Sequence, residues 1–203
     1  MNPEQLREQF ELRKDEIRAR LDDFSNPKMN DIFYEMCFCI LTPQSNAKKC
    51  WNAVLELKEK DFLHKGEINV EFILKSNTRF HNNKSKYIEL AKSNFKEIFN
   101  KIFTTTDSKE LRLWLVDNIK GYSFKEASHF LRNIGYKNLA ILDRHILKNI
   151  ILLGMIPELP KTLTKNRYLE IEDKISNYCE DIEISMDELD LLLWSIEAGE
   201  VFK

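Results

Sequence analysis

The sequence predicts an all-α protein. Its 203 residues include only 5 Gly and 5 Pro, fewer than a sheet protein with many tight turns usually contains. Leu, Lys and Glu, which favour helices, are plentiful. Apolar residues recur at helical spacing between charged ones, and no segment alternates between apolar and polar residues as a half-buried strand does.

The predicted helices follow one another with short polar connections. The first covers residues 3–22 and has Pro3 in its first turn, where proline is tolerated. The second begins at a cap formed by Asn30 or Asp31 and ends near Thr42, because the next residue is a proline. Outside the third quarter of the chain, further helices are predicted over 46–59, 69–75, 84–102, 108–118, 161–180 and 185–200, the last stopped by Gly199.

The four cysteines give no indication of a metal site. Cys37, Cys39, Cys50 and Cys179 form no C-x-x-C pair and accompany no His cluster with metal-ligand spacing. Buried, reduced thiols are expected instead. No stretch approaches the ~18 apolar residues of a membrane span, and the N-terminus lacks the apolar core of a signal peptide. The sequence therefore favours a cytoplasmic protein that does not bind a membrane.

Charge is unevenly distributed along the chain. The formal net charge of −2 argues at first against a nucleic-acid partner, since phosphate binding depends on Lys and Arg. Between residues 118 and 150, however, there are six basic residues and two acidic ones, a local charge of +4. From residue 151 onward five basic residues accompany twelve acidic ones, a charge of −7. A positive segment in an otherwise acidic molecule indicates a focused anion site.

Residues 119–127, with the sequence IKGYSFKEA, have the layout of a helix-hairpin-helix. Gly121 suits a tight left-handed turn, an apolar plug follows, and a new helix then begins with free backbone N–H groups that suit a phosphate. The pattern predicts a clamp on the DNA backbone. An ordinary helix-turn-helix corner is the alternative, because Ser123 stands where a second glycine is usual.

Two polar residues near this hairpin are candidate catalytic groups. Lys125 lies in the first turn of the second helix, where the positive end of the helix dipole disfavours an ammonium and makes a free amine more accessible. This position indicates an amine nucleophile or an anion contact, and a solvated surface lysine is the alternative. Asp143 follows 18 residues later. It is either an N-cap, the commonest role of Asp before a helix, or a carboxylate brought back beside the hairpin.

The run GYSFKEASHFLRNIGYKNLAILDRH resembles the core of the 8-oxoguanine DNA glycosylase/AP lyases, in the compact second type found in archaea and some bacteria. The segments CFCILTPQSNA, RFHNNKSKYI, LEIED and DLLLWSIEAGEVFK resemble that type as well. The most specific element is the hairpin lysine followed by the Asp of LDRH. The resemblance implies a two-lobed, all-α helix-hairpin-helix glycosylase fold. Residues 30–118 would form one lobe, residues 1–29 and 119–203 the other, and the active site would lie in the cleft between them.

The resemblance also implies a bifunctional enzyme of base excision repair. Lys125 is expected to attack C1′ of the damaged nucleoside, so that the base leaves and a Schiff base forms, which permits β-elimination of the 3′-phosphate. Asp143 is expected to stabilise the positive charge that develops on the sugar and to help move protons. The nucleotide must first be extruded from the duplex into a pocket. No metal or organic cofactor is expected.

Base recognition is assigned by the resemblance to the end of the chain. The α-carboxylate of Lys203 is expected to accept the N7–H that 8-oxoguanine has and guanine lacks, and Trp194 is expected to stack on the extruded base. Without the resemblance, Lys203 would be a frayed tail and Trp194 a core residue. His129, one turn after Lys125, and Asp190, one turn before Trp194, are further candidates for base contact, with structural roles as the alternative.

Four more residues are expected to contact DNA. Gln44, Arg79 and Phe80 lie in segments that, in similar glycosylases, approach the gap left by the extruded base or its orphaned partner. His145 is expected to donate to a phosphate near the target sugar. The alternatives are a core position for Phe80 and a structural role for His145.

The expected partner is double-stranded DNA that contains 8-oxoguanine or an abasic site, bound by a monomeric cytoplasmic enzyme associated with the nucleoid. Two alternative functions remain open. One is a non-catalytic helix-hairpin-helix module that only holds backbone phosphates. The other is a glycosylase for a different damaged base.

Overall fold

The structure, a computed structural model, describes residues 2–203, and it contains helices and no strand within that range. The predicted all-α fold is confirmed. Internal contacts divide the chain into a terminal unit, formed by the residues up to Asn26 with Leu131–Lys203, and a middle unit, Pro27–Phe130. The helices in chain order are α1 (Pro3–Glu11), α2 (Lys14–Ser25), α3 (Met29–Leu41), α4 (Ala47–Glu59), α5 (Val70–Lys75), α6 (His81–Ser93), α7 (Phe95–Thr104), α8 (Ser108–Asn118), α9 (Phe124–Asn133), α10 (Arg144–Leu152), α11 (Lys165–Ile182) and α12 (Met186–Ala198).

The core of the middle unit surrounds α3. Residues 32–41 of this helix are all buried, as expected for a helix that is apolar on all sides. It packs against α4 and α6. Phe33 extends the core through aromatic contacts, with ring centroids 6.0 Å from Phe62 and 5.0 Å from Phe95. Apolar burial and ring contacts together make α3 a firm support for the loops at its end.

The terminal unit is organised around α12, which packs against α2, α10 and α11. Ser185 and Glu188 form a capping box at its start, each side chain bonding to the other residue's backbone N–H. Arg18 of α2 donates to Glu188 at 2.9 Å, which ties α2 to this end of α12. Gly199, with φ of +81°, ends the helix in the left-handed conformation, as predicted.

Two predicted helices are each divided in two. Segment 3–22 forms α1 and α2, and Leu12 between them is the C-cap of α1 and is 76% exposed. Segment 84–102 forms parts of α6 and α7, which Asn94 separates. Apolar spacing does not reveal such breaks, because residues on both sides of each break still point into the core. The helices predicted over 46–59, 69–75 and 108–118 are confirmed to within one residue at each end.

The start of α3 also differs from the prediction. Lys28 holds the N-cap position without a side-chain hydrogen bond, so neither Asn30 nor Asp31 is the cap. Asp31 lies in the first turn instead, where a negative charge is favourable beside the helix dipole. It accepts a hydrogen bond from Lys58 of α4 at 2.6 Å.

The hairpin residues up to Phe130 belong to the middle unit, whereas the expected lobe boundary grouped them with the chain termini. Contacts with the middle unit's core account for the difference. Tyr122 is buried, and its hydroxyl donates to the carbonyl of Met36 on α3 at 3.3 Å. Arg112 of α8 donates to the hydroxyl of Ser128 on α9 at 3.2 Å.

All four cysteines are buried free thiols, as predicted. Burial raises the pKa of the Cys179 thiol to about 12, which keeps it protonated and unreactive at neutral pH. Within residues 2–203, no helix is both long enough and apolar enough to cross a membrane.

Candidate active site

The turn between α8 and α9 is built around Gly121. Its φ of +91° lies in the left-handed region that favours glycine. A Cβ at this position would lie 2.9 Å from Cδ2 of Tyr87 on α6. The next residue, Tyr122, is the buried apolar plug, and its N–H donates to the carbonyl of Ile119 at 3.1 Å. These features are those of the predicted helix-hairpin-helix.

Ser123 replaces the second hairpin glycine without backbone strain, since its φ is not positive. Its N–H donates to Oε2 of Glu126 at 3.2 Å, and its hydroxyl donates to the same oxygen. A Glu side chain that reaches back to the N–H three residues earlier is half of a capping box. The Ser123 N–H is therefore already paired within the chain, and a DNA phosphate would have to compete with Glu126 for it.

Lys125 is the second residue of α9, as predicted, and its side chain is 21% exposed. Its Nζ lies 3.5 Å from Oε1 of Glu126, whose own side chain is 9% exposed. Glu126 thus holds the turn with one oxygen and contacts the amine with the other. The residue pattern did not single out Glu126 as a site residue. The S-x-x-E spacing of Ser123 and Glu126 is the signal that could have identified it.

Asp143 stands at the start of α10, where an extended segment of the terminal unit ends. Two buried side chains of α11 hold this segment by its backbone. The Ala140 N–H donates to Glu172 at 2.8 Å, and the Tyr168 hydroxyl donates to the Ala140 carbonyl at 2.6 Å and accepts from the Leu142 N–H at 3.2 Å. Oδ1 of Asp143 then accepts the N–H of Ile146 at 2.8 Å. Asp143 is therefore an N-cap, which was one of its two predicted roles.

His145, expected at a phosphate, is paired with an acidic side chain of α12. Its Nδ1 is hydrogen-bonded to Glu197, which also contacts Lys148 at 3.3 Å and accepts from Asn149 at 3.1 Å. Burial works to raise the pKa of Glu197, but the hydrogen bonds from His145 and Lys148 outweigh it and place the pKa below its ordinary value. This contact supports the structural role for His145, and it leaves Nε2 as the ring nitrogen that could donate to a phosphate.

The candidate base-contacting residues of the terminal unit lie on α12 and after it. The ring of Trp194 is 5.9 Å from the ring of Phe202, centroid to centroid, and tilted by 33°. This contact brings the residue preceding Lys203 against Trp194. One turn earlier, Asp190 lies 3.5 Å from Nη2 of Arg132, whose side chain is only 1% exposed. Trp194 and Lys203 are half-buried, so neither is a fully enclosed core residue.

In the middle unit, Gln44, Arg79 and Phe80 are all exposed. Phe80 is 53% exposed, which makes the core alternative wrong. The guanidinium carbon of Arg79 lies 5.3 Å from the centre of the Phe80 ring, within range of a cation–π contact. Gln44 and Phe80 have φ values of +55° and +57°, and such left-handed conformations are uncommon outside glycine. His129, by contrast, is buried, with its ring 5.6 Å from the ring of Phe38.

The predicted site residues divide between the two units. Lys125 and the exposed Gln44 belong to the middle unit, as does Glu126, which the sequence did not indicate, whereas Asp143 and Trp194 belong to the terminal unit. In the described part of the chain, no group of three or more His, Cys, Asp or Glu side chains is placed to hold a metal ion. The functional groups of these residues are an amine, carboxylates and an aromatic ring.

Comparisons with known proteins show which family this chain is similar to. The family model described as 8-oxoguanine DNA glycosylase matches residues 17–184. An 8-oxoguanine DNA glycosylase/AP lyase from Fusobacterium nucleatum subsp. nucleatum is 52% identical over 199 residues, which cover 92% of this chain and 91% of that protein. The corresponding protein of Methanocaldococcus jannaschii is 38% identical over 201 residues, covering 95% of this chain and 96% of that protein.

Solved structures give the same result. A crystal structure of the M. jannaschii 8-oxoguanine glycosylase/lyase, in complex with 15mer DNA containing 8-oxoguanine, matches with a TM-score of 0.88 at 37% identity, covering 98% of this chain and 99% of that one. The 8-oxoguanine DNA glycosylase of Thermotoga maritima matches with a TM-score of 0.89 at 32% identity, covering 99% and 98% of the two chains. The chain belongs to the 8-oxoguanine DNA glycosylase family.

Proposed function

We propose that the protein excises 8-oxoguanine from double-stranded DNA and then cleaves the strand at the resulting abasic site. The observation that carries this proposal is the amine of Lys125 in the first turn of the second hairpin helix, in a chain that belongs to this family. A glycosylase that uses only water needs a carboxylate and no such amine. The lysine therefore favours a combined glycosylase and lyase.

Lys125 attacks C1′ as a free amine, and the bond between C1′ and the base breaks, so that the base leaves with the bonding electrons and takes up a proton. The sugar ring opens to a Schiff base between Lys125 and C1′. Loss of a proton from C2′ then expels the 3′-phosphate oxygen by β-elimination, and hydrolysis of the imine frees the amine. Within the hairpin, the carboxylate that can take a proton from this amine is that of Glu126, whose Oε1 lies 3.5 Å from Nζ.

Asp143 acts as a carboxylate toward the positive charge that develops on the sugar as the base leaves. One of its oxygens is engaged by the N–H of Ile146, which fixes the orientation of the carboxylate and leaves Oδ2 for the substrate. The segment before it is held at Ala140 and Leu142 by α11. A carboxylate on such a held segment costs little reorganisation during the reaction.

The remaining assignments concern the base and the duplex. Trp194 offers an aromatic surface on which the extruded base stacks, and Asp190, His129 and the carboxylate of Lys203 contact the base. Gly121 and Ser123 present the hairpin to the phosphate backbone, and His145 donates to a phosphate near the target sugar. Gln44, Arg79 and Phe80 fill the gap left by the extruded base. The enzyme acts as a monomer on chromosomal DNA in the cytoplasm.

Borohydride trapping tests the proposal, because reduction of a Schiff base joins enzyme and DNA covalently. Wild type should be trapped on a duplex that contains one 8-oxoguanine, and Lys125→Gln should not be trapped. The matched control is Lys120→Gln, which removes an exposed lysine of the same hairpin and should still be trapped. Absence of trapping by wild type on both 8-oxoguanine and a preformed abasic site would refute the lyase chemistry and favour a DNA-binding module.

A lesion panel tests the base specificity separately. Duplexes with 8-oxoguanine, an oxidised pyrimidine or an alkylated purine should differ in excision rate, with 8-oxoguanine fastest. Fastest excision of another lesion would leave the lyase chemistry in place and overturn only the assignment of the base.

A further inference from the structure

Lys84, on α6, is a buried lysine that the reaction scheme above does not use. Its residue exposure is 5%, and lysine is almost never buried to that extent unless it is paired. Its partners are uncharged oxygens. Nζ lies 2.7 Å from the carbonyl of Leu41, 2.8 Å from that of Pro43, 3.0 Å from Oγ of Ser45 and 2.9 Å from Oγ1 of Thr78.

These four oxygens come from two connections that are far apart in the sequence. Residues 41–45 lead from α3 to α4, and residues 78–80 lead from α5 to α6. Direct hydrogen bonds also join the two connections, because Oγ of Ser45 lies 2.8 Å from Oγ1 of Thr78 and accepts the N–H of Arg79 at 3.0 Å. An ammonium has three protons, so all of its donors are used at this junction.

Each connection carries one exposed residue in a left-handed conformation. Gln44 lies between two of the residues that bind Lys84, and Phe80 is the N-cap of α6, two residues after Thr78. A non-glycine residue with positive φ is conformationally costly, and it persists only where the surroundings impose it. The Lys84 junction is the surrounding structure that imposes it here, since it holds backbone or side-chain groups next to both residues.

We propose that Lys84 is a positioning residue for extrusion of the damaged nucleotide, its buried ammonium locking the two connections so that Gln44 and Phe80 meet the duplex as one rigid surface. This inference rests on the proposed function. Lys84 touches neither the base nor the sugar in this scheme. It acts by ordering both connections in advance, so that no loop has to be ordered while the base leaves the stack.

Protonation of Lys84 affects this junction within an accessible pH range. Burial lowers the pKa of Lys84 from 10.5 to about 8. Among the ionisable groups that face it, Cys50 and Glu126 raise this pKa, whereas Arg79 and Lys125 lower it. Above pH 8 the ammonium, with three protons, becomes an amine with two, so the junction loses one of its three donors and the positive charge that strengthens the other bonds. The junction should therefore loosen as the pH rises through about 8.

Rising pH should loosen the junction, but it should not lower the free energy of unfolding through Lys84. Between about pH 8 and the unfolded value of 10.5, the unfolded chain binds more protons at Lys84 than the folded chain does. The contribution of Lys84 to the free energy of unfolding therefore rises with pH in that window and is constant below it. A loss of extrusion at alkaline pH through Lys84 would consequently not be a loss of fold.

The test compares two substrates, a duplex with 8-oxoguanine and a duplex with a preformed abasic site, which has no damaged base to extrude. Lys84→Met removes the donors and keeps the chain length. Under single-turnover conditions it should slow 8-oxoguanine excision about tenfold or more and abasic-site cleavage less than about threefold. A 2-aminopurine placed beside the lesion becomes more fluorescent when the damaged nucleotide leaves the stack, and Lys84→Met should make this increase smaller. Lys86→Met, an exposed lysine of the same helix, is the control and should change neither rate.

The pH profile of wild type provides a second test that needs no variant to fold. The ratio of the 8-oxoguanine rate to the abasic-site rate cancels any pH dependence that the two reactions share. This ratio should fall as the pH rises through about 8, and the fall should be absent from Lys84→Met. Equal effects of Lys84→Met on both substrates, or a flat ratio in wild type, would overturn the inference. Inactivity of wild type on both substrates would instead overturn the proposed function.

Discussion

The structural role of Asp143, which is to cap α10, can be separated experimentally from its proposed catalytic role. As the N-cap of α10 it accepts the N–H of Ile146 through one oxygen. The amide oxygen of asparagine can make the same bond, but asparagine has no negative charge to offer a developing cation. A pair of substitutions can therefore distinguish the cap from the catalytic charge.

Asp143→Asn should reduce 8-oxoguanine excision about 10²- to 10⁴-fold and leave the free energy of unfolding nearly unchanged. Asp143→Ala should lose the same activity and also about 1 kcal/mol of stability, since alanine cannot cap the helix. Single-turnover excision and urea unfolding measure the two effects. If Asp143→Asn retained wild-type excision, Asp143 would be a cap only.

Phe80 shows a different combination, an exposed ring on a strained backbone. Its φ of +57° and its 53% exposure mean that the ring is held outward at a conformational cost. Phe80→Gly should remove that cost and leave stability equal to wild type or higher by about 1 kcal/mol. It should slow excision from a duplex while sparing cleavage at a preformed abasic site.

Phe80→Ala is the matched comparison, because it removes the ring but keeps the strain. The two variants should therefore lose excision equally and differ in their unfolding midpoints. A Phe80→Gly variant that is markedly less stable than wild type would show that the ring contributes more to packing than its exposure indicates.

The hairpin between α8 and α9 depends on Gly121 for two reasons, its positive φ and the close approach of Tyr87. Gly154 has a similar φ of +77° with nothing within 4 Å of the position of a Cβ. It therefore provides a reference in which only the backbone term is present. Comparison of the two glycines isolates the effect of the tight contact with α6.

Gly121→Ala should destabilise the protein by more than Gly154→Ala, which should cost about 1–2 kcal/mol through φ alone. The additional loss should be largely absent in a Tyr87→Ala background, where the ring 2.9 Å away is gone. Urea unfolding measures the free energies of unfolding of Gly121→Ala, Gly154→Ala, Tyr87→Ala and the double variant Gly121→Ala/Tyr87→Ala. Equal destabilisation by the two alanines would mean that Tyr87 moves aside freely.

Over the whole chain, charge is distributed unevenly, since the segment around the hairpin is positive and the chain as a whole is negative. The net charge is −2, yet residues 118–150 carry +4. Each phosphate contact made by a Lys or Arg releases counterions and steepens the salt dependence of binding. The number of such contacts is therefore measurable without a structure of the complex.

Log K falls as log[salt] rises, and Lys120→Gln should make this fall less steep by about 0.9, the amount expected for one lost phosphate contact on duplex DNA. Lys165→Gln is the control, because Lys165 is exposed but lies in the acidic part of the chain after residue 150. It should leave the slope unchanged. Fluorescence anisotropy between about 50 and 200 mM salt covers the useful range. Equal changes for both variants would contradict a focused site.

Local patterns were sufficient to predict much of this protein. Gly121, the place of Lys125 in the first turn of α9 and the cap at Asp143 each depend on neighbours within a few residues, so the sequence predicts them directly. The helical periods and the buried thiols were predictable for the same reason. The divisions at Leu12 and Asn94 were not, because both halves of each segment face the core.

Sequence alone therefore determined the all-α class, the hairpin and its amine, and the family to which they point. Only the tertiary structure decided how these residues are held. Lys84 binds a carbonyl 43 positions away, and Glu172 binds the Ala140 N–H 32 positions away. Backbone carbonyls and N–H groups are the same in nearly every residue, so such bonds leave no pattern in the sequence. They form only when folding brings distant segments together.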